Sequence, residues 1–124
     1  MVRQISASVP IDGGAHYSSE EHIVGTFDGK NLYEKVVTVG ALVNAGTAEV
    51  PHGIAHLDIV VNVCGMAAAS GYQIPIPIAG TTSIIGTGQN IAMRVTPTHV
   101  QVGTNSNMSA YSAFAIIRYT KTTD

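Results

Sequence analysis

The chain has 124 residues, a net charge of −2 at pH 7 and only 11% charged residues, where about 25% is typical of soluble domains. It is long enough for a single hydrophobic core without disulfides or a structural metal. The sequence has no cluster of lysine and arginine that could form a basic binding surface for nucleic acid or an anionic membrane, so we exclude both partners. No apolar run reaches the ~20 residues that insertion across a membrane requires, and no signal peptide is expected.

The first 21 residues contain Pro10 and the pair Gly13 and Gly14. Their apolar residues do not repeat with the period of a helix or a strand. We predict a lead-in segment over residues 1–16, followed by a single folded domain over 17–124. Ser18 and Glu21 have the spacing of a helix N-terminal capping box, but glycines follow closely. At most one helical turn is therefore expected there.

Two runs rich in β-forming residues, 22–27 and 31–39, flank the pair Asp28 and Gly29. Asp-Gly accepts the positive φ angles of a tight primed turn, so this pattern predicts a β-hairpin. A loop over 40–46 and a short strand over 47–50 are expected to follow.

The segment 55–65 alternates apolar and polar residues, which predicts a strand with one buried face that ends at Gly65. Cys64 cannot close a disulfide within the chain and is expected to be an inert, buried thiol. The predicted buried face comprises Leu57, Ile59, Val61 and Val63, and the opposite face comprises His56, Asp58, Asn62 and Cys64.

The next predicted strand, 72–78, contains Pro75 and Pro77, which cannot donate to a strand ladder. We therefore expect it at the edge of a sheet or in a polyproline-like geometry. The stretch 81–90 contains two glycines and has room for at most a short strand around 83–85.

A second hairpin is predicted from alternating residues over 91–95 and 98–102, joined at Pro97. A polar loop is expected over 103–109. The last strand, 111–120, is apolar on both faces, so we expect one face to pack on the core and the other on a second copy in a twofold or threefold assembly.

These segments predict an all-β fold: an antiparallel, jelly-roll-like β-sandwich of about eight or nine short strands, with no credible helix. The repeated spacing of short strands, about 8–12 residues apart, is typical of such sandwiches. A homotrimer is the oligomer that we favour.

Histidines are the residues that first suggest a metal site. His52 and His56 are four apart, but Pro51 and Gly53 argue against a helix that would bring them together. In a trimer, one histidine from each subunit could hold an ion on the axis, and His52, His56 or His99 would then be the ligand. We otherwise predict no metal and no cofactor.

An enzyme is not predicted. His56 and Asp58 suggest a hydrolase triad, but no Gly-x-Ser-x-Gly nucleophile elbow is present. Glu20 and Glu21 are adjacent, which in a strand would send the two carboxylates to opposite faces, unlike a glycosidase pair.

Amide and aromatic side chains in the predicted loops suit an uncharged sugar, because amides hydrogen-bond its hydroxyls and aromatic faces cover its C–H groups. Asparagines in turns and tyrosines packed at strand starts would explain the same residues without any ligand. The candidate ligand-binding residues are Tyr72, Gln89, Asn90, Asn105, Asn107 and Tyr111.

Three stretches of the chain are distinctive: YSSEEHIVGTFDGKNLYEK at 17–35, PHGI at 51–54 and IRYTKTTD at 117–124. Together they resemble the C-terminal, receptor-binding domain of bacteriophage and prophage tail fibre proteins. A phrase like Gly-Thr-Trp-Ile-Asp-Gly-Lys-Pro-Leu-Tyr-Arg-Lys and a final Tyr-Thr-Lys-Thr-Thr-Asp recur in that family. This chain departs from it at Phe27, where Trp-Ile is usual, and at 107–108, where Asp-Arg is common.

The resemblance implies a homotrimeric virion protein, made in the host cytoplasm, at the distal end of a tail fibre. It implies host attachment by binding of a bacterial surface glycan, with residues 1–16 leading from the upstream fibre shaft. Two alternatives remain open. The domain could be a structural trimerisation and capping unit of the fibre, or a polysaccharide depolymerase.

Overall fold

The computed structural model describes residues 17–82 and 84–123. The predicted lead-in segment therefore lies outside the described residues, as does Ser83 in the predicted short strand. The described residues contain no helix, and so none that is long and apolar enough to span a membrane. They form nine strands: β1 (His22–Phe27), β2 (Lys30–Ala41), β3 (Asn44–Pro51), β4 (Leu57–Ala69), β5 (Tyr72–Ile76), β6 (Ile78–Ala79), β7 (Asn90–Val95), β8 (His99–Asn107) and β9 (Ser112–Lys121).

The strands build two antiparallel sheets, and the predicted all-β sandwich is confirmed. One sheet has five strands in the order β1-β2-β9-β4-β5, and the other has four in the order β3-β8-β7-β6. The last strand, β9, lies at the centre of the five-stranded sheet. Its inward residues are buried together with those of β7 and β8. The largest apolar side chains that are fully buried in this core are Ile76, Ile91, Val100, Val102, Ile117 and Tyr119.

The first predicted hairpin is confirmed. Strands β1 and β2 pair through Phe27 and Lys30, with φ angles of 52° at Asp28 and 80° at Gly29. Both central residues of the turn therefore adopt the left-handed region that a primed turn requires. The second hairpin, between β7 and β8, is also present.

The predicted faces of the 55–65 strand are correct only in part. Leu57 and Val63 pack against the core as predicted, and the residues of the opposite face are exposed, but Ile59 and Val61 are not core residues. The register of β4 against β9 shifts between Leu57 and Val60 and again between Val60 and Asn62. Each irregularity interrupts the alternation of side chains between the two faces. As a result Val60 packs against the core, whereas Ile59 is 49% exposed.

Two further expectations for this strand fail. Gly65 does not end β4, which continues to Ala69. Cys64 is exposed rather than buried, because it faces away from the sandwich opposite Ile116 of β9.

The proline-containing segment does lie at a sheet edge, as predicted. Strand β5 is the outer strand of the five-stranded sheet, and β6 is the outer strand of the four-stranded sheet. The chain passes from one sheet to the other at Pro77, and the missing N–H donors of Pro75 and Pro77 disturb no central ladder.

The predicted loops over 40–46 and 103–109 are too long. Strand β3 begins at Asn44 and β8 continues to Asn107, and these two residues are partners across the ladder. Their polar sequences have weak strand propensity, but pairing with a neighbouring strand overrides that local preference.

Candidate functional site

Two of the predicted sugar-stacking residues, Tyr72 and Tyr111, line the same groove. The groove encloses about 540 Å³, and its other lining residues are Gln73, Ile74 and Ile84. We refer to these five residues as the tyrosine groove. It lies where the start of β5 meets the residue before β9 and the connection between β6 and β7.

Different local interactions hold the two tyrosines. Tyr72 follows the turn at Gly71, whose φ of +81° favours glycine, and its side chain is 69% exposed. Tyr111 packs against the core, and its carbonyl accepts the N–H of Leu42 at 2.9 Å. The groove thus combines a fixed aromatic wall with an accessible aromatic face. With the amide of Gln73, this arrangement can cover the C–H face of a pyranose and bind its hydroxyls.

The predicted amides of the 88–105 region are used within the chain. Asn105 Oδ1 accepts the N–H of Asn90 at 2.7 Å, and Asn105 Nδ2 donates to the carbonyl of Gly88 at 2.7 Å. Gln89 Oε1 accepts the N–H of Gly86 at 2.9 Å. The two bonds of Asn105 hold the β6–β7 connection and the start of β7 on β8, and the bond of Gln89 lies within the connection. None of these amides lines the tyrosine groove.

Asn107 also has a local role. Its Oδ1 accepts hydrogen bonds from the N–H and the hydroxyl of Ser109, at 3.0 and 2.7 Å. Asparagine commonly stabilises turns in this way. Of the six candidate ligand-binding residues, the structure therefore brings Tyr72 and Tyr111 together, and it places Asn90 and Asn105 side by side elsewhere.

His52 has a structural role in this chain. It is 2% exposed, and its Nδ1 accepts the N–H of Ile54 at 3.0 Å. The proton is therefore on Nε2, which donates to the carbonyl of Thr96 at 2.9 Å. Both ring nitrogens are occupied, so His52 is unsuited to hold an axial ion in this conformation.

The other two candidate histidines lie nearer the surface. His56 is exposed and has a φ of 60°, and its carbonyl accepts the N–H of Thr122. His99 Nδ1 lies 2.7 Å from the hydroxyl oxygen of Thr98. Within the described ranges, no three or more His, Cys, Asp or Glu side chains are grouped so that they could hold a metal ion.

Charged interactions that sequence reasoning missed tie β9 to the start of the domain. Glu21 accepts hydrogen bonds from Tyr119 and Lys121, 98 and 100 residues away, both at 2.6 Å. Burial acts to raise the pKa of the Glu21 carboxyl, but these two bonds and the charge of Lys121 outweigh it, so the pKa is lowered. Burial, together with the neighbouring Glu21 carboxylate, raises the pKa of Tyr119. Such distant partners leave no local signal in the sequence.

The five-stranded sheet also has an apolar outer face. The two apolar faces predicted for the last strand are present, and it is Phe114 and Ile116 of β9 that point away from the core, beside Val36 of β2 and Met66 of β4. With Tyr17 they line a recess of about 690 Å³. We refer to these five residues as the outer apolar face. Its Phe114 side chain is 38% exposed.

Comparisons with protein-family models, with curated proteins and with solved structures give no match for this chain. The function must therefore be argued from its own residues. The tyrosine groove unites two of the candidate side chains, and a second recess unites Asn90 and Asn105. The two tyrosines are the pair that can stack on a sugar, whereas the two asparagines hydrogen-bond within the chain.

Proposed function

We propose that the chain is a non-enzymatic receptor-binding domain from the distal end of a bacteriophage tail fibre, where it attaches to polysaccharide on the bacterial surface. The observation that carries this proposal is the tyrosine groove, in which Tyr72 and Tyr111 flank one cleft beside Gln73. Aromatic faces combined with a few polar groups are typical of sugar sites. The tail fibre assignment rests on the resemblance of the stretches at 17–35, 51–54 and 117–124.

Homotrimerisation would raise the overall affinity of the protein for a polysaccharide that such a site binds. A single groove of this size offers a modest affinity, but three copies on one fibre raise the effective concentration of the second and third contacts. Attachment to a repeating surface polymer suits this arrangement, because the polymer presents many identical units.

Replacing Tyr72 with alanine is expected to weaken binding of the protein to immobilised bacterial capsular and O-chain polysaccharides about tenfold, which corresponds to about 1.4 kcal/mol. The loss follows from removal of the exposed aromatic face. Binding is measured on a panel of polysaccharides by surface plasmon resonance.

Two controls accompany this variant. Tyr72→Phe retains the ring and is expected to bind nearly as the wild type does, and Ile23→Ala changes an exposed side chain outside the groove. Failure of the wild-type protein to bind any polysaccharide of the panel would argue against a receptor-binding domain. Equal binding by Tyr72→Ala would argue against this groove.

A structural trimerisation and capping domain is the second candidate, and the outer apolar face favours it. Phe114, Ile116, Val36 and Met66 form a continuous apolar surface on a sheet whose other face is already packed. Exposed apolar patches of this kind commonly mark contacts between proteins. A stable trimer would bury more than ~1,000 Å² at each interface.

Phe114→Glu is expected to convert a trimer into monomers, because the interface would then bury an unpaired carboxylate. Light scattering at micromolar concentration would show the mass fall from three times 12.9 kDa to a single chain. Ile59→Glu, which alters another exposed apolar residue outside the recess, is expected to remain trimeric. A wild-type protein that is monomeric under these conditions would exclude both the trimer and the capping role.

A further inference from the structure

The outer face of the four-stranded sheet carries a polar trough, separate from the tyrosine groove. Two adjoining recesses of about 230 and 500 Å³ share the residues Thr47, Ala92 and Gly103. The register places these three in one row across β3, β8 and β7. Their small side chains form the floor of the trough.

Polar side chains rise on both sides of this floor. On one side Arg94 Nε donates to Gln101 Oε1 at 2.5 Å, and Gln101 Nε2 donates to Glu49 Oε1 at 2.8 Å. On the other side lie Asn90 and Asn105. Equivalent rows on one face of a strand are about 7 Å apart, so the two walls stand about 14 Å apart. This width accommodates a pyranose ring.

Gly103 gives the trough its depth. Glycine inside a strand is costly and commonly marks a place where a ligand or another backbone approaches closely. Backbone crowding does not explain it here: a Cβ on Gly103 would lie 3.8 Å from Thr47 Oγ1 and 3.9 Å from the carbonyl of Gly46, which are ordinary contacts. The conformation of Gly103 is also one that other residues adopt, since its φ is not in the left-handed region.

We propose that this trough is a second carbohydrate site, which binds one uncharged pyranose unit through hydrogen bonds. One wall presents the guanidinium of Arg94 and the amide of Gln101 in a row with the carboxylate of Glu49, and the other presents the amides of Asn90 and Asn105. This combination of donors and acceptors matches neighbouring sugar hydroxyls. One cation is balanced by one carboxylate, which favours an uncharged ring over an acidic one. The lining residues include no aromatic side chain, so recognition here differs from stacking in the tyrosine groove.

The inference rests on the proposed function, because it takes the ligand to be a surface glycan. Two sites of different chemistry on one domain could hold two units of the same polymer. Binding at either site would then raise the effective concentration of the glycan at the other.

The test is an NMR titration of the isotope-labelled full chain with the methyl α-pyranosides of glucose, galactose and mannose at millimolar concentration. With at least one of these sugars, the backbone amides of Ala92 and Gly103 and the side-chain amide of Gln101 are expected to shift together. Gly103→Val fills the trough and is expected to weaken this binding at least about tenfold while the melting temperature is retained or raised.

Gly25→Val is the matched control, because a Cβ there meets nothing within 4 Å and the site is in the other sheet. If Gly103→Val did not fold, Gln101→Ala would replace it, with the same expected loss. Shifts at Tyr72 and Tyr111 alone would contradict sugar binding in the trough and would still support the proposed function. If neither the trough residues nor the two tyrosines shift, sugar binding in the trough is contradicted. Binding to the polysaccharide panel then tests the proposed function separately. Unchanged sugar binding by folded Gly103→Val would also overturn the trough.

Discussion

Replacing Gly65 with alanine is expected to lower the free energy of unfolding by about 3 kcal/mol or more. A Cβ at this position would collide with the backbone carbonyl oxygen of Phe114. Gly65 lies in β4 opposite Ala115 of β9 and opposite Ile76 of β5. The added methyl group must therefore push apart strands at the centre of the five-stranded sheet, since backbone atoms cannot move aside as a flexible side chain can.

Urea unfolding followed by circular dichroism would measure this loss. Gly25→Ala is the matched control, because its methyl group would project into open space, and we expect its stability to stay within about 0.5 kcal/mol of the wild type. A Gly65→Ala variant as stable as the wild type would contradict the pairing of β4 with β9 in this register.

Arg118→Met is expected to destabilise the protein by about 3 kcal/mol at neutral pH. Arg118 Nε donates to Glu34 Oε2 at 2.7 Å, and the Glu34 side chain is only 1% exposed, whereas that of Arg118 is 42% exposed. Removing the arginine leaves a carboxylate that is withdrawn from water without its closest cation. Because Arg118 is itself 42% exposed, water can enter the space that it leaves, so we place the effect at the lower end of the usual range.

Replacing the other partner of this ion pair, Glu34, is expected to destabilise the protein less. Glu34→Gln leaves an uncharged amide in the buried position, and the half-exposed Arg118 can turn to water, so a loss of about 1 kcal/mol is expected. Denaturant unfolding of both variants tests this asymmetry. Losses of equal size would show that the carboxylate is better solvated than its burial indicates.

Several elements of the fold could be predicted from sequence because neighbouring residues specify them. The turn at Asp28 and Gly29 depends on two backbone conformations that these residue types accept. The edge position of β5 follows from prolines that cannot donate to a ladder. The two apolar faces of β9 follow from an unbroken apolar run in a strand.

The irregular parts of the sandwich could not be predicted in this way. The register shifts at Val60 move Ile59 to the surface, and no residue type there signals a bulge. The polar ends of β3 and β8 became strands because Asn44 and Asn107 face each other. The burial of Glu34 depends on Arg118, 84 residues away.

The candidate sites, too, could be predicted only in part from the sequence. Tyr72 and Tyr111 could be named from sequence as stacking surfaces, but only the tertiary structure brings the start of β5 and the residue before β9 to the same groove. The trough could not be recognised from sequence, since its floor consists of the small residues Thr47, Ala92 and Gly103 and its walls come from three strands in a particular register.

The sequence by itself determined the all-β class, the tight turns and the edge strands of this protein, because strand period, glycine and proline act through the backbone of adjacent residues. Only the tertiary structure decided which polar side chains are used inside the chain and which line an accessible cleft. The physical reason is that hydrogen bonds such as Asn105 with Asn90, or Tyr119 with Glu21, form only when strand register brings distant residues within reach of each other.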